Sequence, residues 1–265
     1  DFLTQSLNNK DWTDFRAAVA FAKRSGTKHV RDALSDFSKR ATVRISIGID
    51  SGGTSAEGLE DLIAAVAVTG KLWIFHNANS STFHPKIYFF KNVTAADVVI
   101  GSGNFTEGGL YTNYEANIRL RLDLARHEHR ALLASVEAAL NRWITPRQGV
   151  CFVLDQALLK QLVSSGEVPT EAEAREAEEA LLTSKPGGSK RGDSIFKALS
   201  VRAAPKVSQR STGAAPSAGL ATALAKLAKT KPGVSAPPIS AATGARGTLA
   251  TAISTRTFLM TLQNT

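Results

Sequence analysis

The stretch that decides the fold is FHPKIYFFKNVTAADVVIGSGNFTEGGLYTNYEANI, residues 83–118. Its apolar and β-branched residues come in runs bounded by turn residues, which favours strands. The strands predicted in and around it are 84–91, 96–103 and 113–123. His84 and Lys86 are two residues apart, so on a strand their side chains leave the same face of the sheet. Asn104 comes directly after the next strand, and Glu115 lies on the strand after that.

These residue types suit a site for a phosphate group. Such a site needs a nucleophile or acid, a cation, amide donors and a carboxylate that orients an imidazole. The stretch supplies all of these groups, and the glycines of its GSGN sequence let the backbone come close to an anion. The predicted catalytic residues are His84, Lys86, Asn104 and Glu115, and the predicted substrate contacts are Ser102 and Gly103.

The HPK sequence at 84–86 and the GSGN sequence at 101–104 resemble the signature of the phospholipase D superfamily, H-x-K-x4-D-x6-G-S-x-N. The spacing on to Glu115 is similar to that of its metal-independent restriction endonucleases, the NgoFVII-like branch. The resemblance covers roughly residues 10–165. One position departs from the signature, since Lys91 stands where the aspartate is expected. In the superfamily that aspartate is structural more than catalytic, and the nuclease branch often lacks it.

The resemblance implies a mechanism with two histidines, one attacking phosphorus and one protonating the leaving oxygen. This chain has a single H-x-K motif, and single-motif members of the family pair two copies across a two-fold axis. The implied assembly is a homodimer through the active-site face, with His84 of one copy as nucleophile and His84 of the other as acid. Lys86 and Asn104 of both copies would bind phosphate oxygens, and Glu115 would hydrogen-bond the far ring nitrogen of His84. Ser102 would be a partner either of the phosphate or of Glu115. Neither a metal nor another cofactor is required.

The rest of the first 165 residues alternates between strand and helix patterns. The clearest are strands at 41–50 and 71–77 and helices at 59–70, 126–144 and 155–166. This alternation predicts an α/β fold. We therefore expect a phospholipase D-like α/β sandwich around a central mixed sheet at 1–165, followed by an acidic helix at 166–183.

Two features near the predicted site have alternative interpretations. SGGTS, residues 51–55, follows a strand but lacks the lysine of a P-loop, so it is interpreted as a helix-capping loop. A contact from Thr54 or Ser55 to DNA is the alternative. His76 ends the apolar strand KLWIFHN and is interpreted as a supporting or core histidine, with a substrate contact as the alternative.

The net charge of +9 is distributed unevenly along the 265 residues. Residues 1–184 carry 20 Lys and Arg against 22 Asp and Glu, whereas residues 185–265 carry 12 against one. Residues 184–252 are dominated by Ala, Gly, Ser, Thr, Pro and Lys, which predicts a flexible basic linker. Alternating apolar residues then predict a strand within 253–265, which would open a truncated C-terminal DNA-recognition domain.

Composition excludes several classes of protein. No stretch approaches eighteen consecutive apolar residues, so a membrane-spanning helix is not expected. The single cysteine, Cys151, excludes an internal disulfide framework and a Cys-rich zinc site. The first residues have neither a basic nor an apolar signal region, so we expect a cytoplasmic protein.

The leading functional hypothesis is a DNA endonuclease of restriction type. A catalytic part without net positive charge cannot bind DNA strongly through bulk electrostatics, so a tethered reader would supply affinity and specificity. Some members of the branch also work with an ATP-dependent helicase-type partner. The alternatives are a phospholipase or phosphatidyl transferase, which would need an apolar interfacial patch or anchor, and a non-catalytic dimeric scaffold.

Overall fold

The structure is a computed structural model of the chain. It describes residues 2–66, 70–79, 81–147, 149–183, 203–207 and 259–262. The strands are β1 (Asp14–Val19), β2 (Thr42–Gly48), β3 (Gly70–Phe75), β4 (Lys86–Lys91), β5 (Ala95–Gly101), β6 (Ala116–Asp123), β7 (Cys151–Leu154) and β8 (Leu259–Leu262). The helices are α1 (Phe2–Asn8), α2 (Arg24–Ser38), α3 (Ala56–Ala65), α4 (His127–Arg142), α5 (Gln156–Ser164) and α6 (Glu171–Thr183). A short 3-10 helix spans Asp50–Gly52, and a π-helix spans Gly108–Thr112.

The strands form one mixed sheet in the order β7-β3-β2-β1-β4-β5-β6-β8. β1, β2 and β3 are parallel, whereas β4, β5, β6 and β7 pair antiparallel with their neighbours. Because β4 is antiparallel to β1, it begins at the edge of the sheet where β1, β2 and β3 end. β5 ends at this same edge and β6 begins there. We call it the upper edge.

One face of the sheet packs on α2, α3 and α5 through the larger hydrophobic cluster. Alternate residues of β1 and β4 point to this face, among them Phe15 and Phe90, whose rings stack with centroids 4.6 Å apart. Phe37 of α2 meets both rings edge-on, and all three side chains are fully buried. The apolar side chains of α2, at helical spacing, and those of the strands, at alternate positions, therefore pack in one core.

The opposite face of the sheet packs on α4. Phe89, which points away from Phe90 on β4, clusters with Leu133 and Leu140 of this helix. Trp143, at the end of the helix, meets the ring of Phe83 edge-on with centroids 5.5 Å apart. Helices thus cover both faces, and the predicted α/β sandwich with a mixed sheet is confirmed.

Two strands begin later than the sequence predicts. The strand predicted from 84 begins at Lys86, because Pro85 has no N–H to give to the ladder. The strand predicted from 113 begins at Ala116. His84 and Glu115 therefore lie just outside the strands, at the upper edge, and their predicted places on the strands are wrong.

Other segments bear on the predicted domains. The acidic helix predicted within 166–183 is α6, while α1 and β7 were not predicted. Most of the predicted linker, 184–252, lies outside the described residues, as does most of 253–265. β8 pairs antiparallel with β6, and the assignment of 253–265 to a further domain stays a prediction. Within the described ranges, no helix is long and apolar enough to cross a membrane.

The hairpin between β4 and β5 turns at the lower end of the sheet. The Asn92 side chain closes this turn, since Oδ1 accepts hydrogen bonds from the backbone of Thr94 at 2.9 Å and of Ala95 at 2.8 Å. Val93, at the tip, is 91% exposed. The turn is therefore held by its own residues.

Phe90→Ala is expected to lower the free energy of unfolding by about 3–5 kcal/mol, because it leaves a cavity among the buried rings. Urea unfolding measures the change. Phe152→Ala, on the edge strand β7, is the matched control, since that ring is 46% exposed and its loss should cost less than about 1 kcal/mol. Equal losses in the two variants would show that the β1–β4 junction is not the centre of the core.

Candidate active site

His84 and Lys86 meet at the start of β4. His84 is exposed, whereas Lys86 is only 7% exposed. The Lys86 ammonium lies against the imidazole, with Nζ 2.6 Å from Nδ1 and 3.0 Å from Nε2 of His84. The cation and the imidazole therefore lie together at the upper edge, where one bound group can contact both.

Burial lowers the pKa of the Lys86 ammonium from its usual value, and the negative charge of Glu115 acts in the opposite direction. A desolvated cation gains more from an incoming anion than a solvated one does. Lys86 is therefore placed to bind a phosphate oxygen at the upper edge.

The Glu115 carboxylate is 9% exposed and is held by two side chains. Ser102 Oγ donates a short hydrogen bond to one carboxylate oxygen, and Asn113 Nδ2 donates to the other at 3.3 Å. Ser102 Oγ also accepts from the backbone N–H of Ala116 at 3.0 Å. The partners of the Glu115 carboxylate thus lie at the end of β5 and on its connection to β6, and its predicted hydrogen bond to His84 stays a prediction.

Asn104 is positioned by the end of β1. Its Oδ1 accepts a hydrogen bond from the backbone N–H of Phe21 at 3.2 Å. The backbones also pair, since Phe105 N–H donates to Phe21 O at 3.1 Å and Lys23 N–H donates to Phe105 O at 2.9 Å. With Oδ1 occupied, Asn104 Nδ2 is the donor that remains for a ligand.

Gly103 is required by close packing inside the protein. A Cβ on Gly103 would lie 2.5 Å from the carbonyl oxygen of Gly109, in the π-helix. The hydroxyl of Tyr88 donates to Gly103 O at 2.9 Å, and burial raises the pKa of Tyr88, so the hydroxyl keeps its proton. Gly103 is thus held between the π-helix and Tyr88. Its contact with substrate stays a prediction.

The SGGTS sequence forms a helix-capping loop, as predicted. Ser55 Oγ accepts from the N–H of Gly58 at 3.1 Å and caps α3. Thr54 Oγ1 accepts from Ala22 N–H at 3.1 Å and donates to Gly48 O at 2.6 Å. These contacts join the ends of β1 and β2 at the upper edge.

Phe21 is a site residue that the sequence did not reveal. Its ring meets the His84 imidazole edge-on, with centroids 5.7 Å apart. A Cβ on Gly53 would lie 2.2 Å from the Phe21 ring, so only glycine leaves room for it. The ring therefore limits the positions open to the imidazole. No sequence motif marks this contact, because it joins three separate loops.

His76 and Asp50 form a second polar pair at the upper edge. His76 Nδ1 lies 2.7 Å from Asp50 Oδ1, and Asp50 Oδ2 accepts from the N–H of Phe83 at 2.9 Å. One carboxylate thus joins His76 to the residue before His84. The sequence left His76 open between a supporting or core role and a substrate contact, and it gave Asp50 no role.

Lys91 stands at the lower end of β4, opposite to Lys86. Its ammonium pairs with the Glu137 carboxylate of α4 at 2.9 Å. The departure from the phospholipase D signature therefore lies away from the predicted catalytic residues. Among the residues whose side chains are described, no three His, Cys, Asp or Glu are grouped so that they could hold a metal ion.

No protein-family model and no curated protein sequence matches the chain. Several solved structures are similar to it. Nuc from Salmonella typhimurium, a phospholipase D family member, is 21% identical with a TM-score of 0.41, over 55% of this chain and 87% of that one. NucT from Helicobacter pylori is 16% identical with a TM-score of 0.39, over 54% and 86% of the two chains. A mutant of yeast tyrosyl-DNA phosphodiesterase is 11% identical with a TM-score of 0.36, over 62% and 35%.

The lowered pKa of Lys86 makes stability depend on pH. Between that pKa and the usual 10.5, the unfolded chain holds a proton that the folded chain has released, so folding is favoured as the pH rises through this window. The free energy of unfolding of the wild type, relative to Lys86→Met, is therefore expected to rise as the pH approaches 10.5. Urea unfolding at several pH values measures it, with Lys71→Met, at an exposed lysine of β3, as the matched control. A constant difference between wild type and Lys86→Met would contradict the prediction.

Proposed function

We propose that the chain is a phosphodiesterase of the phospholipase D superfamily, namely a metal-independent DNA endonuclease of restriction type. The observation that carries the proposal is the buried Lys86 ammonium against the His84 imidazole. A nucleophile in contact with a desolvated cation suits attack on a negatively charged phosphodiester. The resemblance of the HPK and GSGN sequences to the superfamily signature supports the same chemistry.

The proposed reaction has two displacements at phosphorus. A ring nitrogen of His84 attacks, the P–O bond to the leaving group breaks, and the leaving oxygen takes a proton from His84 of a second copy. Water then attacks the phosphohistidine and gives its proton to that second imidazole. The P–N bond breaks, which yields a phosphomonoester and restores both histidines.

Charge stabilisation in this reaction would come from the protein. Lys86 Nζ and Asn104 Nδ2 would donate to the non-bridging phosphate oxygens, and this requires no metal. Glu115 would keep Lys86 protonated through its nearby negative charge, and Ser102 would hold that carboxylate in place. A direct phosphate contact from Ser102 or Gly103 belongs to the same proposal.

The proposed partners follow from the single H-x-K motif and from the charge distribution. Two copies would join through the upper edge, so that their two His84 residues share one phosphate. Sequence specificity would come from a reader that follows the basic linker at 184–252. We further propose a helicase-type partner that uses ATP. The proposed location of the protein is the cytoplasm.

His84→Ala is expected to lower phosphodiester hydrolysis by at least about a thousandfold, because it removes the nucleophile. Release of nitrophenol from bis(p-nitrophenyl) phosphate in excess EDTA measures the activity, and sedimentation checks that the variant remains dimeric. His127→Ala, at an exposed histidine of α4, is the matched control and should retain full activity. Activity that disappears in EDTA, or that survives in His84→Ala, would refute the mechanism.

Mixing wild type with His84→Ala tests the shared site. If each dimer needs His84 from both copies, mixed dimers are inactive, and activity falls as the square of the wild-type fraction. If each copy works alone, activity falls in direct proportion to that fraction. The measurement uses chains exchanged at constant total concentration, and a linear dependence would reject the composite site.

A further inference from the structure

His76 is held rigidly at the upper edge. Its Nδ1 pairs with Asp50 at 2.7 Å, and its backbone N–H donates to Val150 O at 2.9 Å. The Asp50 side chain is 10% exposed, whereas the His76 side chain is 36% exposed. Because Nδ1 faces a buried carboxylate, the exposed part of the ring carries Nε2. The pair therefore presents one polar atom in a fixed direction.

The turn that carries Asp50 has an unusual backbone. Ser51 has φ of 56°, a left-handed conformation that is unfavourable for a non-glycine residue. Gly53 N–H donates to Asp50 O at 3.1 Å and closes the turn. Strain of this kind persists where the surrounding structure imposes it and is concentrated at functional sites.

The Asp50 carboxylate also holds His76 close to the residue that precedes His84. Its two oxygens bond His76 Nδ1 and Phe83 N–H, so these nitrogens are within about 8 Å of one another by covalent geometry. Phe83 directly precedes His84. A DNA strand carries one phosphate for every ~3.4 Å of rise, so a strand bound at His84 brings a neighbouring phosphate towards His76.

We propose that His76 binds a DNA phosphate next to the scissile one as an imidazolium, which donates Nδ1–H to Asp50 and Nε2–H to the phosphate. This inference rests on the proposed nuclease function and adds a substrate-positioning residue to it. The described catalytic part has no net positive charge to hold DNA, because residues 1–184 carry 20 basic against 22 acidic side chains. Individual phosphate contacts therefore decide how the strand lies across the upper edge.

The test measures binding of a duplex DNA oligonucleotide to chains that also carry His84→Ala, so that no cleavage occurs during titration. In this background His76→Ala is expected to raise Kd about tenfold, the effect of losing one hydrogen bond to a charged group. The slope of log Kd against log salt should fall by about 0.9, which is the contribution of one phosphate in duplex DNA.

Two further variants separate phosphate binding from a structural role. His76→Lys supplies a cation without an imidazole and should restore the salt slope. His76→Gln can bond Asp50 but brings no charge, and it should behave like His76→Ala. His127→Ala, made in the same background, is the matched control and should leave both Kd and slope unchanged.

The outcomes distinguish this inference from the proposed function. If wild type hydrolyses bis(p-nitrophenyl) phosphate but His76→Ala leaves Kd and slope unchanged, the phosphate contact is refuted and the phosphodiesterase stands. If hydrolysis is absent but His76 controls the salt slope, the contact stands and the enzyme proposal fails. A weaker affinity with an unchanged slope, or a Lys variant that restores nothing, assigns His76 a structural role and overturns the inference.

Discussion

The antiparallel pairing of β4 with β1 is the constraint on which the site depends. It places the start of β4 beside the ends of three parallel strands, so loops from distant parts of the chain meet at one edge. The register that pairs Val19 with Lys86 determines to which face of the sheet the lysine side chain points. Because side chains alternate along a strand, a slip of one residue would move Lys86 to the face covered by α4 and separate it from Glu115.

That pairing also explains how a cation is kept in a desolvated position. The Phe15 and Phe90 rings fix the middle of the β1–β4 junction, and Lys86 stands at its upper end. Burial disfavours the protonated form of Lys86, whereas the negative charge of Glu115 favours it. The folded protein thus retains an unfavourable electrostatic arrangement at Lys86, which the proposed phosphate ligand would relieve.

Much of the sheet was predictable because its strands alternate clearly, and the Ser102–Glu115 contact agrees with a partner that the sequence suggested. The start of β4 was not predicted, since Pro85 removes one ladder hydrogen bond and leaves His84 outside the strand. The pair of Asp50 and His76 joins residues 26 positions apart, and local patterns carry no information on such contacts. α1 and β7 are short elements with weak periodicity, so packing rather than propensity determines them.

The turn closed by Asn92 lies at the end of the sheet remote from all of these groups. Its exposed tip residue, Val93, makes it a suitable point for attaching the protein to a solid support or a fluorophore. A chain tethered there would keep its upper edge free for the proposed second copy and the proposed DNA substrate. Single-molecule observation of encounters between the protein and DNA could then proceed without chemical interference at the histidines.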